Sequence, residues 1–216
     1  MESTLRRGAG APGLALIETL GWDGAGFVRL DLHLARLARS AAALGWPCDL
    51  AAARAALSAA VGLAAARVRL TLDVTGKIDV TVAAMPATVA AWRVGLAGAR
   101  LGSGDAWLSV KTTNRAAYDL ARASLAVGLD EVIFQNERGE VCDGSITTVF
   151  FDAGQGLCTP PVTCGLLPGV LRAELLATGA VREAVLHAAD LGRVQLWVGN
   201  SLRGLIPAVF VHHVGA

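Results

Sequence analysis

The sequence predicts an α+β protein of two domains built on mixed sheets. Three observations lead to this. The first third interleaves short apolar runs of strand character with two amphipathic helical stretches. Residues 86–92, with Pro86, alanines and a threonine before Trp92, interrupt that pattern as a connector. Beyond the connector, strand-like runs dominate again around two further helices. The expected divisions are a leader without periodicity at 1–13, a small α+β domain at 14–88 and a larger domain at 89–216.

The elements follow in order. The glycine-rich start reads as a leader or frayed end. Leu14–Leu20 and Phe27–Leu30 read as a hairpin across the Trp22-Asp23-Gly24-Ala25-Gly26 turn. His33–Leu44 puts Leu34, Leu37, Ala38, Ala41 and Leu44 on one stripe, with Asp31 as the expected N-cap and Gly45 and Pro47 as the stop. A second helix over Leu50–Val61 precedes strands at 67–72 and 78–83, joined by Val74-Thr75-Gly76. In the larger domain the expected strands lie at 93–97, at Lys111, at 131–135, at 140–142, at 146–151, at 194–199 and at 207–212. Helices are expected at 114–127 and from Val170 to Leu176, the second launched by Leu167-Pro168-Gly169. Pro160-Pro161 cannot continue a ladder.

Composition narrows the function classes. With 54% hydrophobic and 17% charged residues the chain can bury a substantial core, which argues against disorder. A net charge of +1 provides no field for nucleic acid or an anionic membrane. No uninterrupted apolar run reaches the roughly 18 residues that span a bilayer, and no secretion signal opens the chain, so a cytoplasmic protein is expected. Cys48, Cys142, Cys158 and Cys164 lack metal-ligand spacing and read as buried free thiols, with no metal expected.

One pairing carries chemistry. Lys111 sits in Val110-Lys111-Thr112-Thr113-Asn114-Arg115, between apolar and hydroxyl-rich residues, and Asp143 lies in Cys142-Asp143-Gly144-Ser145. A lysine whose amine is desolvated can form an imine with an aldehyde cofactor such as pyridoxal phosphate. A carboxylate at the cofactor's pyridine nitrogen stabilises the ring as an electron sink. Phosphate would need amide donors at a helix start, which Val170 and Leu171 after Gly169 supply, together with a cation such as Arg36 or Arg39. Asn200 and Ser201 add side-chain donors. Each feature alone also reads as a surface lysine, a turn acid, a helix cap or a solvated basic face.

Taken together, these segments resemble the class IV aminotransferases, the D-amino-acid and branched-chain type of pyridoxal-phosphate enzyme, across residues 14–211. The likeness rests on Leu16-Ile17-Glu18-Thr19-Leu20, on Leu30 to Ala41, on the lysine segment, on Asn136-Glu137-Arg138-Gly139, on Asp143-Gly144, on Thr159-Pro160-Pro161, on Gly165-Leu166-Leu167-Pro168-Gly169 and on Gly199-Asn200-Ser201-Leu202-Arg203-Gly204. The resemblance implies fold type IV, with the cofactor in the cleft between two domains, and a homodimer. It implies that Lys111 is the Schiff-base lysine and proton shuttle, that Arg36 contacts phosphate, and that Val170 and Leu171 donate amides to it. Asn200, Ser201 and Leu202 fall on a second phosphate turn, and Arg115 lies near the cofactor's phenolic oxygen. Arg115 and Arg203, ahead of Arg93, are the candidates for the carboxylates of a small anionic amino substrate.

Within the family, Lys111 to Arg115 with Tyr118-Asp119, and Asn200 to Gly204, are most similar to the 4-amino-4-deoxychorismate lyases, including the lyase-like domains fused to aminodeoxychorismate synthase component I. That likeness implies release of pyruvate and formation of 4-aminobenzoate, a folate precursor, and association with a synthase. The alternatives are an aminotransferase acting on D-amino or branched-chain amino acids, or a catalytically weakened structural relative. The last is motivated by Asp143 and Thr148, which stand where the family carries glutamate and, five positions on, asparagine, and by the short start, since family members usually carry another strand pair before the segment matching Leu16 to Thr19 and residues 1–13 do not resemble it. Asp143 reaches about 1 to 1.5 Å less far, so its ring contact is expected to be longer, water-bridged or weaker.

Overall fold

The computed structural model describes residues 4–211 and divides into two compact units. The first comprises the chain up to Ala87 together with Val110–Asn114, and the second comprises Thr88–Ser109 and Arg115 onward. The lysine expected in the larger C-terminal domain therefore belongs to the first unit. The reason is backbone pairing: Ile17 N–H donates to Lys111 O at 2.8 Å, and Thr113 N–H to Ala15 O at 2.9 Å.

In the first unit, helix α1 (Thr4–Gly8) replaces the expected frayed leader, because Leu5 is a buried anchor and α1 rests against α2. Strands β1 (Ala15–Trp22), β2 (Ala66–Asp73) and β3 (Ile78–Ala84) form an antiparallel sheet in chain order. β2 alternates cleanly: Val68, Leu70 and Leu72 are buried while Arg67 and Arg69 are exposed. The expected strand at Phe27–Leu30 does not form. Only a Trp22↔Phe27 bridge exists, and Arg29, at φ 58°, turns the chain into α2 (Leu30–Leu44). Asp31 therefore lies inside the first turn of α2 and is not its cap. Helix α3 (Leu50–Ala60) is capped by Asp49, whose carboxylate accepts from the amides of Ala51 and Ala52.

The second unit is an eight-stranded mixed sheet. Its strands are β4 (Trp92–Leu101), β5 (Glu131–Asn136), β6 (Val141–Gly144), β7 (Thr148–Asp152), β8 (Leu157–Thr159), β9 (Arg182–Glu183), β10 (Gln195–Asn200) and β11 (Gly204–Phe210). They are ordered β6-β5-β4-β11-β10-β7-β8-β9. The pairs β4/β5, β4/β11 and β8/β9 are parallel and the rest antiparallel. β8 and β9 escape sequence reading because strands of three and two residues carry no usable period.

Alternation sorts the side chains of this sheet onto two buried faces. Ile133, Val149, Phe151 and Val198 join Trp92 and Val94 in one cluster. On the opposite face Val132 and Phe134 pack with Tyr118 and Ala121 of α4 (Ala116–Ala123). Phe150 packs with Leu171 of α5 (Val170–Ala177). Helix α4 is shorter than the expected 114–127, since the Ser124 hydroxyl bonds back to Leu120 O and the chain turns through Gly128 at φ +83°. Lys111 is not on a regular strand either. It follows a 3-10 turn at Ala106–Ser109, and only Thr112 bridges to Leu16.

Gly165 is the glycine this unit can least replace. At φ +82°, an added Cβ would stand 2.6 Å from Ser103 Cα. Gly165→Ala is expected to destabilise by about 1–3 kcal/mol through overpacking alone, with left-handed strain added. Gly179→Ala, at φ +72° with nothing within 4 Å, should show only the strain. Urea unfolding of the two variants measures the difference.

Candidate active site

The first unit buries a charged cluster. Glu18 on β1, at 3% exposure, sits in an otherwise apolar run, and α2 places His33 and Arg36 three residues apart. Arg36 donates from Nε at 2.8 Å and from Nη2 at 2.6 Å to the two carboxylate oxygens, and His33 Nδ1 lies 2.6 Å from Glu18 Oε2. Burial alone would raise the Glu18 carboxyl. The Arg36 charge, its hydrogen bonds and the His33 contact outweigh burial and hold Glu18 below its usual 4.5. Burial is the first cause acting on His33 and lowers it below 6.5, against the pull of Glu18; the charges of Arg36 and Lys111 lower it further. His33 is thus neutral at pH 7, with Nδ1–H toward Glu18. Arg36 spends two of its three nitrogens on this pair, leaving Nη1 outside it.

Lys111 is half-buried, between buried Val110 and Thr112. Its carbonyl is held by Ile17 N–H, and two residues on the Thr113 hydroxyl accepts from Ala15 N–H at 3.0 Å and donates to Gly13 O at 3.0 Å.

The second unit supplies the other candidates. Asp143, the next-to-last residue of β6, is 5% exposed, and its charge, after burial, is the next cause that pushes the Tyr118 phenol upward. Burial and then Asp143 also raise the Cys142 thiol to about 12, so that cysteine stays protonated. All four cysteines are free. Helix α5 begins at Gly169 without a side-chain cap, so the first amides, at Val170 and Leu171, are turned outward from the helix start. A Cβ at Gly169 would meet Thr148 Oγ1 at 2.7 Å, and one at Gly199 would meet Gly204 O at 2.6 Å. Both positions require glycine.

The three residues of the expected second phosphate turn do not act alike. Asn200 Oδ1 accepts from Leu202 N–H at 3.1 Å and Arg203 N–H at 3.0 Å, so the Leu202 amide is engaged by the turn's own cap. Asn200 Nδ2 donates to Ile146 O at 3.1 Å, and Ser201 is buried. Arg203 stacks its guanidinium 5.2 Å over Trp92. Arg115 bonds Asp119 at 2.7 Å and Ser145 O at 2.9 Å.

Sequence reading gave no role to Glu18, His33 or Glu131. The available signal was an acid inside or at the edge of an apolar strand, as at Glu18 in Leu16–Leu20 and at Glu131 before Val132–Phe134.

Against known proteins, the family model of class IV amino-transferases matches residues 15–210. The chain belongs to that family. A crystal structure from Mesorhizobium loti, provisionally named an amino-acid aminotransferase, is 47% identical over 92% of this chain and all of that one, with a TM-score of 0.88. The 4-amino-4-deoxychorismate lyase of Pseudomonas aeruginosa is 26% identical, covering 99% of this chain and 90% of that one, with a TM-score of 0.78. A Schizosaccharomyces pombe protein provisionally named an aminodeoxychorismate lyase is 30% identical over 178 residues, 78% of this chain and 75% of its own length. The two-domain architecture with mixed sheets is that of fold type IV, and the cofactor is pyridoxal phosphate, characteristic of this family. Each unit carries donors of the types this cofactor takes: an amine and a buried arginine in the first, a buried carboxylate and an uncapped helix start with glycine at its entry in the second.

Two outcomes follow from the buried cluster. Glu18→Ala strands the Arg36 charge and should cost about 3–5 kcal/mol in urea unfolding, whereas replacing both partners by apolar residues should cost less. Both depressed groups make stability fall with acid: the His33 contribution is complete above its unfolded value of 6.5 and is lost as pH drops below it, and Glu18 follows below 4.5. His33→Asn should flatten the upper stage of the stability-versus-pH curve while leaving the lower one.

Proposed function

We propose that this protein is a class IV aminotransferase that moves an amino group between a small amino acid and a keto acid. The observation that carries this reading is the 47% identity over 92% of the chain to the Mesorhizobium loti protein named for that activity. Bound pyridoxal phosphate supplies the electron sink for a carbanion at the substrate Cα. Lys111 would hold the cofactor through its side-chain amine, and that amine would serve as the base that takes and returns the substrate Cα proton. Asp143 is the carboxylate assigned to the pyridine nitrogen, where its charge favours the protonated ring. Arg36, Val170, Leu171, Asn200 and Ser201 are assigned to the phosphate, with the Leu202 amide secondary because of its bond to Asn200. Arg115 and Arg203 are assigned to the substrate carboxylates, each from a position already steadied by Ser145 and Trp92 respectively. A homodimer goes with this reading through the family resemblance.

A second reading is favoured by the Schizosaccharomyces pombe and Pseudomonas aeruginosa likenesses and by the Lys111–Arg115 and Asn200–Gly204 segments. In it the same Lys111 proton transfers lead to loss of pyruvate from aminodeoxychorismate, in association with a synthase. Proton removal at Cα is common to both; the fate of the proton differs.

Purified protein with added pyridoxal phosphate should show a visible band that borohydride traps and that Lys111→Ala abolishes, with kcat/KM reduced at least about 10²–10⁴-fold. Absence of the band in the wild type would count against both readings and for a weakened relative. Amino transfer dependent on a keto acid supports the aminotransferase, while 4-aminobenzoate formation without it supports the lyase.

A further inference from the structure

The turn between β6 and β7 is built around a carboxylate that none of the assigned roles uses. Glu131, at the start of β5, is fully buried at 0% exposure. Its Oε1 accepts from Val132 N–H at 3.0 Å, from Ser145 N–H at 3.1 Å and from the Ser145 hydroxyl, and Arg122 Nη1 stands 3.4 Å away. Its Oε2 accepts from Ile146 N–H at 3.1 Å and the Thr147 hydroxyl at 2.9 Å. All three residues of the turn thus donate to one side chain. Gly144 completes the fit, since a Cβ there would collide with Thr147 Oγ1 and stand 3.0 Å from Glu131 Oε2.

The groups around this turn include ones assigned above to the cofactor and substrate. Asp143 lies two residues before Ser145, Ser145 O receives Arg115, and Ile146 O receives Asn200. Thr148 immediately follows and packs at the entry of α5. Arg122 of α4 adds a bond to the Ser145 hydroxyl at 3.3 Å.

We propose that Glu131 is a positioning residue for the pyridoxal-phosphate site, setting the placement of Asp143, Arg115 and Asn200 through the 145–147 turn. The inference rests on the assignment of that cofactor to those residues. It requires two acceptor oxygens at position 131. A glutamine has one acceptor oxygen for two sets of donors, and its NH₂ would face N–H and O–H groups that also donate. An aspartate keeps the charge but withdraws it by one methylene.

The test is cofactor affinity, read by visible absorption on apo protein titrated with pyridoxal phosphate, for wild type, Glu131→Gln and Glu131→Asp, with Gly76→Ala as a control that loses stability away from the turn: Gly76 lies in the first unit at φ +84°, where an added Cβ would stand 3.0 Å from Pro47 Cγ. Thermal unfolding is recorded alongside. Glu131→Gln is expected to weaken cofactor binding at least 10-fold and to shift the pH at which the visible band changes, because Asp143 is displaced. Glu131→Asp should recover part of the affinity, and Gly76→Ala should lose stability with affinity unchanged. Should Glu131→Gln not fold, Thr147→Val and Ser145→Ala each remove hydroxyl donors to the same carboxylate and should weaken binding several-fold. Wild-type affinity and pH profile in Glu131→Gln, or in both hydroxyl variants if that protein does not fold, overturn the inference while the cofactor assignment stands. A wild type that binds no pyridoxal phosphate overturns the assignment and the inference together.

Discussion

Three residues, 145–147, join strands that occupy the first and sixth places of an eight-stranded sheet. In a flat sheet those strands would lie about 24 Å apart, whereas the four chain steps from Gly144 to Thr148 reach at most about 14 Å. The sheet must curl until β6 meets β7, and the Gly144 N–H bond to Thr147 O at 2.7 Å marks the closure. Curling gives the second unit its inner cluster around Val94, Ile133, Val149 and Val198. It also brings the ends of β6, β7 and β10 together, so that Asp143, Thr148 and Asn200 become neighbours of a single turn. This short connection and the candidate chemistry of the unit are therefore one structural problem.

Both units solve a similar difficulty, which is how to keep a charge inside an apolar setting. In the first, Glu18 is answered by a guanidinium and an imidazole from one face of α2. In the second, Glu131 is answered mainly by backbone amides and hydroxyls, with Arg122 at a longer distance. The two solutions differ in what they fix. An ion pair orients side chains, and here it orients Arg36 with one nitrogen held outside the pair. Amide donors fix backbone, and here they fix the turn whose carbonyls receive Arg115 and Asn200. Burying either carboxylate unanswered would cost several kcal/mol or more, so the sequence pattern around each is constrained by energy before any chemistry is considered.

Much of this was legible in the sequence, and its legibility followed the physics of each element. The 3.6-residue stripe of α2 and the alternation of β2 announce themselves because one face of each is buried and the other wet. β5, β6 and β7 of the curled sheet are buried on both faces, yet their apolar runs were bounded by recognisable turns such as Asn136–Gly139. What escaped was set by tertiary contact. Arg29 adopts a left-handed conformation that no local pattern suggests, and α1 owes its place to the anchoring of Leu5. Lys111 was found by its residue type and neighbours, but its affiliation with the first unit depends on pairing with β1 across nearly a hundred residues. In the candidate site, Lys111, Asp143 and the start of α5 were readable as chemical types. Glu131 was not, because its meaning lies in the amides that converge on it.

The same contacts bear on the departures at positions 143 and 148. An asparagine at 148 would matter to Asp143 if that position served to orient the carboxylate. In this chain the Thr148 Oγ1 lies where a Cβ of Gly169 would approach within 2.7 Å, so the residue packs against the entry of α5. A side chain there is judged first by whether it fits beside Gly169, and a compact β-branched residue does so. The 145–147 turn that follows Asp143 is held by Glu131 and by Arg115 and Asn200 on its carbonyls, without the side chain at 148. The two departures therefore bear on different contacts: the shorter reach of Asp143 on the ring nitrogen itself, and Thr148 on the packing at the entry of α5.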